Sequence, residues 1–126
     1  MDDLVKDDFE KALPSEILNL AVRSGTELVI PVDEAKHAVR VAAENRIAVL
    51  GVEVLRLLDI GLGVETYSGY EFKFDGNWES FVRLNNDAAL LFISENSFGS
   101  GYGYILTATS ETEFSHLGES LGLRRS

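Results

Sequence analysis

The residues of this chain that could do chemistry are acidic. Glutamates stand at positions 53, 65, 71 and 79, and a pair of carboxylates can cleave a glycosidic bond, one as general acid and the other as base or nucleophile. Glu53 and Glu71 are the pair of interest because they lie on two neighbouring predicted strands. A small glycosidase-like hydrolase that uses these two residues is therefore one interpretation of the sequence.

The other reactive side chains point to no catalytic centre. The chain has no cysteine, which excludes disulfides, thiolate metal sites and a cysteine nucleophile. His37 and His116 lie outside the His-Glu-x-x-His pattern of zinc enzymes and have the spacing of surface pairs with nearby acids. Ser68 lacks the flanking glycines of a nucleophile elbow. The sequence predicts no metal and no cofactor.

Helices dominate the predicted amino-terminal part of the chain. Apolar residues before Pro14 have helical spacing, and Pro14 should end this helix because the residue before a proline avoids the α region. Ser15 can cap a second helix that Gly25 would end. A short strand or an extended link follows at 27–30, so residues 1–32 are predicted to form a mainly helical region packed on the core.

The middle of the chain is predicted to form a helix and a β-hairpin. Asp33 can cap a helix that runs through Asn45. Segment 47–58 is nearly all apolar and rich in β-branched residues, which is typical of a strand covered on both faces. Segment 64–74 alternates with a period of two residues, and a turn separates it from the first strand.

The last third of the chain is predicted to be helix, strand and helix. Asn77 can cap a helix that runs to about Asn96. Its predicted buried stripe consists of Trp78, Phe81, Val82, Asn85, Ala88, Ala89 and Phe92. A strand over 102–109 follows, and Ser110 with Glu113 has the spacing of a capping box. The sequence thus predicts an α+β fold, a small antiparallel or mixed sheet of about three to four strands packed against several helices.

The register of the predicted hairpin decides which residues share a face. A turn centred near Leu62 would place Glu53 opposite Glu71, where two carboxylates repel by a few tenths to about one kcal/mol unless a cation or a partner relieves them. Four apolar residues would share that face and need a cover: Ile47, Val49, Leu55 and Leu57. Another helix or a second copy of the chain would serve, so a homodimer is one expectation.

The hairpin and the helix after it combine aromatic and acidic residues. Trp78 and Phe81 are interpreted as core residues, which leaves Tyr67 as the aromatic candidate for an exposed surface. Tyrosines rimmed by acids are typical of docking surfaces, because tyrosine and tryptophan supply many interface hot spots. The predicted partner-binding residues are Glu53, Glu65, Tyr67, Glu71, Asp75 and Glu79.

Length and charge limit the classes of function. The 126 residues fit a single domain spanning 1–126, and 45% apolar with 25% charged residues is ordinary for a globular protein. The formal net charge is −10, so phosphate backbones are unsuitable partners and a basic protein is a suitable one. The acidic amino terminus is unlike a secretory signal, and no apolar run reaches the length of a membrane span, which predicts a cytoplasmic protein without a membrane contact.

Several segments together resemble the predicted immunity proteins of bacterial polymorphic toxin systems, and in particular the group catalogued as Immunity protein 40. The likeness covers roughly residues 33 to 115 and rests on a pattern of aromatic and acidic residues. The segments that carry it are Ala48-Val49-Leu50-Gly51-Val52-Glu53-Val54, Tyr67-Ser68-Gly69-Tyr70-Glu71-Phe72, Asn77-Trp78-Glu79-Ser80-Phe81-Val82, Asn85-Asn86-Asp87-Ala88-Ala89 and Gly103-Tyr104-Ile105-Leu106-Thr107.

This resemblance implies a small cytoplasmic α+β domain that binds a cognate toxin and blocks it, without turnover of its own. A nuclease is one class of toxin that would suit the acidic surface. Nuclease clefts are basic, and complementary charge accelerates association. The expectation is therefore an inhibitor whose acidic, tyrosine-bearing surface occludes the active site of a basic toxin.

Overall fold

The computed structural model describes residues 7–24, 27–58, 61–69, 74–95 and 101–120. Within these residues the helices are α1 (Asp8–Ala12), α2 (Ser15–Leu20), α3 (Ala35–Glu44), α4 (Trp78–Glu95) and α5 (Glu111–Ser120). The strands are β1 (Val22–Ser24), β2 (Glu27–Pro31), β3 (Ile47–Leu58), β4 (Gly61–Gly69) and β5 (Tyr102–Ser110). They form one antiparallel sheet in the order β1-β2-β5-β3-β4. The predicted α+β fold is confirmed, and the short β1 extends the sheet beyond the predicted strands.

The amino-terminal region is less helical than the sequence predicted. α2 ends at Leu20, where the N–H of Ala21 closes the last turn onto the carbonyls of Ile17 and Leu18. Val22, expected in this helix, instead lies in β1 and pairs with Val29 of β2. A β-branched residue loses side-chain freedom in a helix and packs well in a strand, so the pairing prevails. Gly25, the predicted helix end, lies outside the described residues.

The helix predicted to begin after Asp33 begins slightly later. Asp33 lies in a 3₁₀ turn, Val32–Glu34, and no side chain caps α3 at Glu34. The apolar face of α3 is nevertheless as predicted, because its alanines and valines repeat at helical spacing. The buried residues of this face are Ala35, Ala38, Val39, Val41 and Ala42.

β3 has the predicted bounds, but a bulge changes which of its residues share a face. Leu50 is an extra residue in the pairing of β3 with β5. Because one inserted residue exchanges the two faces of a strand, the main core takes side chains from both sides of the bulge: Ile47, Val49, Val52 and Val54. The expectation that Ile47 and Val49 share the Glu53 face was therefore wrong. These two residues are covered by the main core and need no second copy of the chain to cover them.

A second, smaller core lies on the other face of β3. Ala48 sits between two main-core residues, so its side chain points the opposite way. It packs against the start of α4 and against α5, in a cluster of Ala48, Trp78, Phe81 and Val82 with the half-buried Leu50, Phe74 and Phe114. Trp78 and Phe81 are thus core residues, as predicted.

The edge of β3 beside α4 is closed by a side chain. In the part of the chain that the structure describes, β4 pairs with β3 from Gly51 onward. Before that point, the buried Asn86 of α4 accepts a hydrogen bond from the Val49 N–H at 2.8 Å and donates to the Ile47 carbonyl at 3.0 Å. Its amide nitrogen also lies 3.4 Å from the Val39 carbonyl of α3. One amide therefore does for this part of β3 what a neighbouring strand would do, and it ties α3, α4 and the sheet together.

Helix caps fix the positions of α4 and α5. Asn77 accepts a hydrogen bond from the Ser80 N–H at 3.0 Å, as predicted for the start of α4. The predicted capping box is also present, with Ser110 N–H to Glu113 at 3.1 Å and Glu113 N–H to Ser110 at 3.2 Å. Both residues reach further, because Glu113 accepts from the Asp8 N–H and the Ser110 hydroxyl donates to the Asp8 carboxylate. α1 is thereby tied to the end of β5.

None of the helices that the structure describes is both long enough and apolar enough to cross a membrane. α4 is the longest of them, with 18 residues, and it carries buried apolar residues on one side and charged residues on the other. Its amphipathic character is that of a helix packed on a sheet.

Candidate functional site

The centre of the candidate surface is a row of residues that crosses the sheet. Glu53 of β3 is paired with Tyr67 of β4 on one side and with Ile105 of β5 on the other. Residues directly opposite in antiparallel strands share a face, and neighbouring strands are about 5 Å apart. Glu53 is half-buried and Ile105 is half-buried. The row therefore places the predicted acidic residue and the predicted tyrosine position next to each other.

The predicted pairing of Glu53 with Glu71 was wrong. Only residues 59 and 60 lie between β3 and β4, and Leu58 pairs with Gly61, so the turn comes earlier than one centred near Leu62. The earlier turn moves every partner along β4, and Glu53 meets Tyr67 instead of Glu71. Glu71 itself lies outside the described residues. The direct opposition of Glu53 and Glu71, which would have supported the hydrolase interpretation, is therefore absent from the register.

Glu65 occupies an irregular position in β4. Val54 pairs with Thr66 and Leu55 pairs with Val64, so Glu65 is the extra residue of a second bulge. Bulged residues lack a direct partner and bend the strand locally. Glu65 is therefore set apart from the regular alternation that the sequence predicted for this strand.

The remaining two predicted residues lie at the start of α4. Asp75 is exposed and accepts a hydrogen bond from the Asn77 N–H at 3.0 Å. The Glu79 side chain is 78% exposed, and its carboxylate lies 3.4 Å from the Arg46 guanidinium. Exposed pairs of this kind contribute little to stability, so Glu79 remains able to exchange Arg46 for a cation of a partner.

Arg46 is a residue that the sequence reasoning missed. It lies between α3 and β3 with φ of 61°, the only non-glycine residue with positive φ among the described residues. Its carbonyl accepts a hydrogen bond from the Trp78 indole at 2.7 Å, and its guanidinium lies 3.5 Å from Glu111. The buried tryptophan thus holds a strained turn in place, and no local sequence signal marks it.

Trp78 is itself held by an aromatic cluster. The rings of Phe74, Trp78, Phe81 and Phe114 are all in mutual contact, with centroids 5.3 to 5.8 Å apart. Edge-to-face and tilted arrangements at this distance each add about 0.5–1.5 kcal/mol beyond burial. This cluster gives the start of α4, with Asp75 and Glu79, a rigid base.

A concavity of about 440 Å³ lies between α3 and α4. Its rim carries three arginines and three carboxylates: Arg40, Arg46, Arg83, Glu44, Glu79 and Asp87. The opposite charges balance, so this groove has no net preference for an anion or a cation. The buried Asn86 at its floor already has three hydrogen-bond partners.

The described part of the chain brings no three histidine or acidic side chains together in a way that could hold a metal ion. The side chain of His37 is 56% exposed and lies 4.0 Å from Glu34, as a surface pair one helical turn apart. Two groups among the described residues have a raised pKa. The Glu10 carboxylate raises the pKa of the Arg23 guanidinium, and burial raises the pKa of the Tyr104 hydroxyl.

Comparison of the chain with family models, with curated proteins and with solved structures finds no significant match. The likeness to immunity proteins therefore rests on the segments quoted from the sequence.

Proposed function

We propose that this protein neutralises a bacterial toxin, such as a nuclease, by binding the basic toxin domain at its substrate cleft and occluding the active site. The observation that supports the proposal most directly is the row Tyr67, Glu53 and Ile105 across three strands of the sheet. It places a carboxylate and a tyrosine position side by side on a rigid element. Binding sites on rigid elements lose little entropy on association, which favours tight complexes.

The distribution of charge supports the same proposal. The net charge of the chain is −10, and Asp75, Glu79 and Glu111 are exposed around the aromatic cluster. A partner with a basic cleft would be steered towards such a surface, and the association rate would fall as salt is added. Salt-dependent association is thus an expected property of the complex.

The hydrolase alternative receives no comparable support. Glu53 has Tyr67 and Ile105 as its partners across the sheet, and no second carboxylate takes either of these two positions. Retaining and inverting glycosidases both need two carboxyl groups held about 5 to 10 Å apart on either side of the substrate. Binding of a partner without catalysis therefore accounts better than hydrolysis for the sheet face that carries Glu53.

Co-expression with a candidate toxin domain tests the proposal. Cells that produce the carboxy-terminal domain of a toxin encoded beside this chain should survive when this chain is also produced. The two proteins should then purify as one stable complex, and the toxin's activity should be lost in it. Killing that continues in the presence of the folded chain would refute the proposal.

Charge reversal on the candidate surface tests where the partner binds. We expect Glu53→Lys combined with Asp75→Lys to slow association by about tenfold or more at low salt, because both changes oppose electrostatic steering. The control is Glu16→Lys combined with Glu95→Lys, which makes the same change of charge at two exposed positions on α2 and α4. Equal effects of the two double variants would mean that only the overall charge matters and that this surface is not the site.

A further inference from the structure

Among the described residues, the edge of β5 towards β2 is paired only in part, and the rest of this edge borders a cleft. β2 pairs with β5 only through Ile30–Tyr104 and Pro31–Gly103, whereas β5 continues to Ser110. The earlier residues of β2 pair with β1 instead. The two strands therefore separate after Tyr104, and a cleft of about 220 Å³ opens between them. We name it the β5 slot; it is lined by Ile105–Ala108 of β5, Glu27 and Leu28 of β2, Phe9 and Glu10 of α1, and Asp7 just before α1.

The backbone of β5 along this slot has hydrogen-bonding groups to offer. In an antiparallel strand, successive residues direct their N–H and C=O groups to alternate sides. β3 pairs with one side of Ile105–Ala108. Towards β2, these four residues make no backbone hydrogen bond with any residue that the structure describes. Such a row of donors and acceptors is a template for an added strand.

The walls of the slot are acidic and partly apolar. Glu27 is exposed and takes part in no ion pair within the described residues. Asp7 is exposed and caps α1 through a 2.8 Å hydrogen bond from the Glu10 N–H. Glu10 is paired with Arg23, which lies 2.5 Å away. Within the described part of the chain, three carboxylates stand against one cation, Arg23, and this excess of negative charge suits a cationic occupant.

The slot also continues the candidate surface. Ile105 lies in it and is the partner of Glu53, which in turn pairs with Tyr67. Neighbouring strands are about 5 Å apart, so Tyr67 and the slot are separated by about 10 Å across the sheet. A single partner can therefore cover the row and enter the slot.

We propose that the β5 slot binds an extended segment of the partner protein, rich in lysine or arginine, by adding it to β5 as a strand. This inference rests on the proposed function for the identity of the partner. The four residues Ile105–Ala108 span about 13 Å at the rise of a β-strand, which matches a segment of four to five residues. Main-chain hydrogen bonds supply affinity in such complexes, and alternate side chains supply specificity. Here alternate positions meet Leu28 and Leu106 or the carboxylates of Glu27 and Asp7.

Two short peptides test the mode of binding on the full chain labelled with ¹⁵N. The probe is acetyl-Lys-Val-Lys-Val-Lys-amide, which can form a strand. The control is acetyl-Lys-Pro-Lys-Pro-Lys-amide, which has the same charge and lacks two N–H donors. We expect saturable shifts of the amide signals of Ile105–Ala108 with the first peptide and binding about thirtyfold weaker with the second, since each of the two lost hydrogen bonds is worth about 1 kcal/mol. Equal affinities, or no shifts at these four residues, would overturn the proposal.

A pair of variants tests the position of binding. Glu27→Lys should weaken binding of the valine peptide about fivefold, as expected for reversal of one exposed charge at the site. Glu95→Lys makes the same change of charge at an exposed position at the end of α4 and should leave the affinity unchanged. A similar loss of affinity in both variants would mean that overall charge determines binding, and it would refute the proposal that the peptide binds in the slot.

The outcomes separate this inference from the proposed function. If the chain neutralises its toxin but the valine peptide does not shift the amide signals of Ile105–Ala108, the proposed slot is refuted and the proposed function stands. If the chain binds the peptide in the slot but does not protect cells, the proposed slot stands and the proposed function is refuted.

Discussion

Among the residues that the structure describes, β3 and β5 each have an edge that the neighbouring strand pairs only in part, and the protein treats these two edges differently. At the start of β3, the buried amide of Asn86 bonds to Val49 and Ile47, so this edge is closed from within. After Tyr104, β5 is no longer paired with β2, and a slot lined in part by carboxylates lies between the two strands. The first edge belongs to the core and the second faces a cleft.

The difference shows which unpaired backbone groups need a partner from the fold itself. A buried donor or acceptor without a partner costs about 1–3 kcal/mol, so the β3 edge must be satisfied by the chain. An edge that water can reach avoids this cost and stays available to another protein. The comparison therefore predicts that changes at Asn86 affect stability and that changes at the slot affect binding.

The largest effect is expected when the closed edge loses its amide. Asn86→Ala should lower the free energy of unfolding by about 3 kcal/mol, because the Val49 N–H and the Ile47 carbonyl would be left buried without partners. Urea denaturation followed by circular dichroism measures this loss. The control is Asn85→Ala, since Asn85 is equally buried but its amide donates only to the Phe81 carbonyl one turn earlier. A similar loss in both variants would contradict the role given to Asn86.

An intermediate effect is expected where α1 is tied to the end of β5. Ser110→Ala removes the cap of α5 and the hydrogen bond to Asp8, and should cost about 1 kcal/mol. Hydrogen exchange should also accelerate in α1, which borders the slot. Ser80→Ala is the matched control, because the one hydrogen bond of the Ser80 hydroxyl among the described residues is accepted from the exposed Arg83, at 3.2 Å. Unchanged exchange in α1 would show that Ser110 does not hold this helix.

The smallest effect on stability is expected at the open edge. Glu27→Lys should change the free energy of unfolding by less than about 0.5 kcal/mol, as is usual for an exposed residue without specific partners. In the unmodified chain, the amides of Ile105–Ala108 that point towards β2 should exchange faster than the Val49 amide. Slow exchange along this part of β5 would mean that its edge is closed, and the contrast between the two edges would disappear.

Local features of the fold could be predicted from the sequence. The bounds of β3, the cap at Asn77 and the capping box of Ser110 with Glu113 are all confirmed. Each depends on side chains within a few residues of one another, so the relevant physics is contained in a short segment. The assignment of Trp78 and Phe81 to the core is confirmed for the same reason, because helical spacing marks a buried face.

Features that depend on distant residues could not be predicted. The pairing of Glu53 with Tyr67 follows from where the turn begins and from the bulges at Leu50 and Glu65. The same alternating pattern fits several registers, and only packing against the rest of the sheet selects one. Asn86 shows the same limit, since a polar residue in a helix indicates nothing about a strand edge 37 residues earlier in the chain.

The candidate site divides in the same way. The types of its residues and the excess of negative charge are properties of the sequence, and they suggested a surface for a basic partner. The arrangement of these residues is a property of the tertiary structure. The fold pairs Glu53 with Tyr67, places Glu79 near Arg46 and leaves a slot next to Ile105.

The sequence by itself determined the class of this fold, the positions of most helices and strands, and its acidity, because hydrophobic period, capping and charge act locally or add up over the chain. Only the tertiary structure decided which face of each strand is buried, which edge is closed and which is open. These outcomes depend on hydrogen bonds and contacts between residues far apart in sequence, and a single buried amide or one extra residue in a strand is enough to change them.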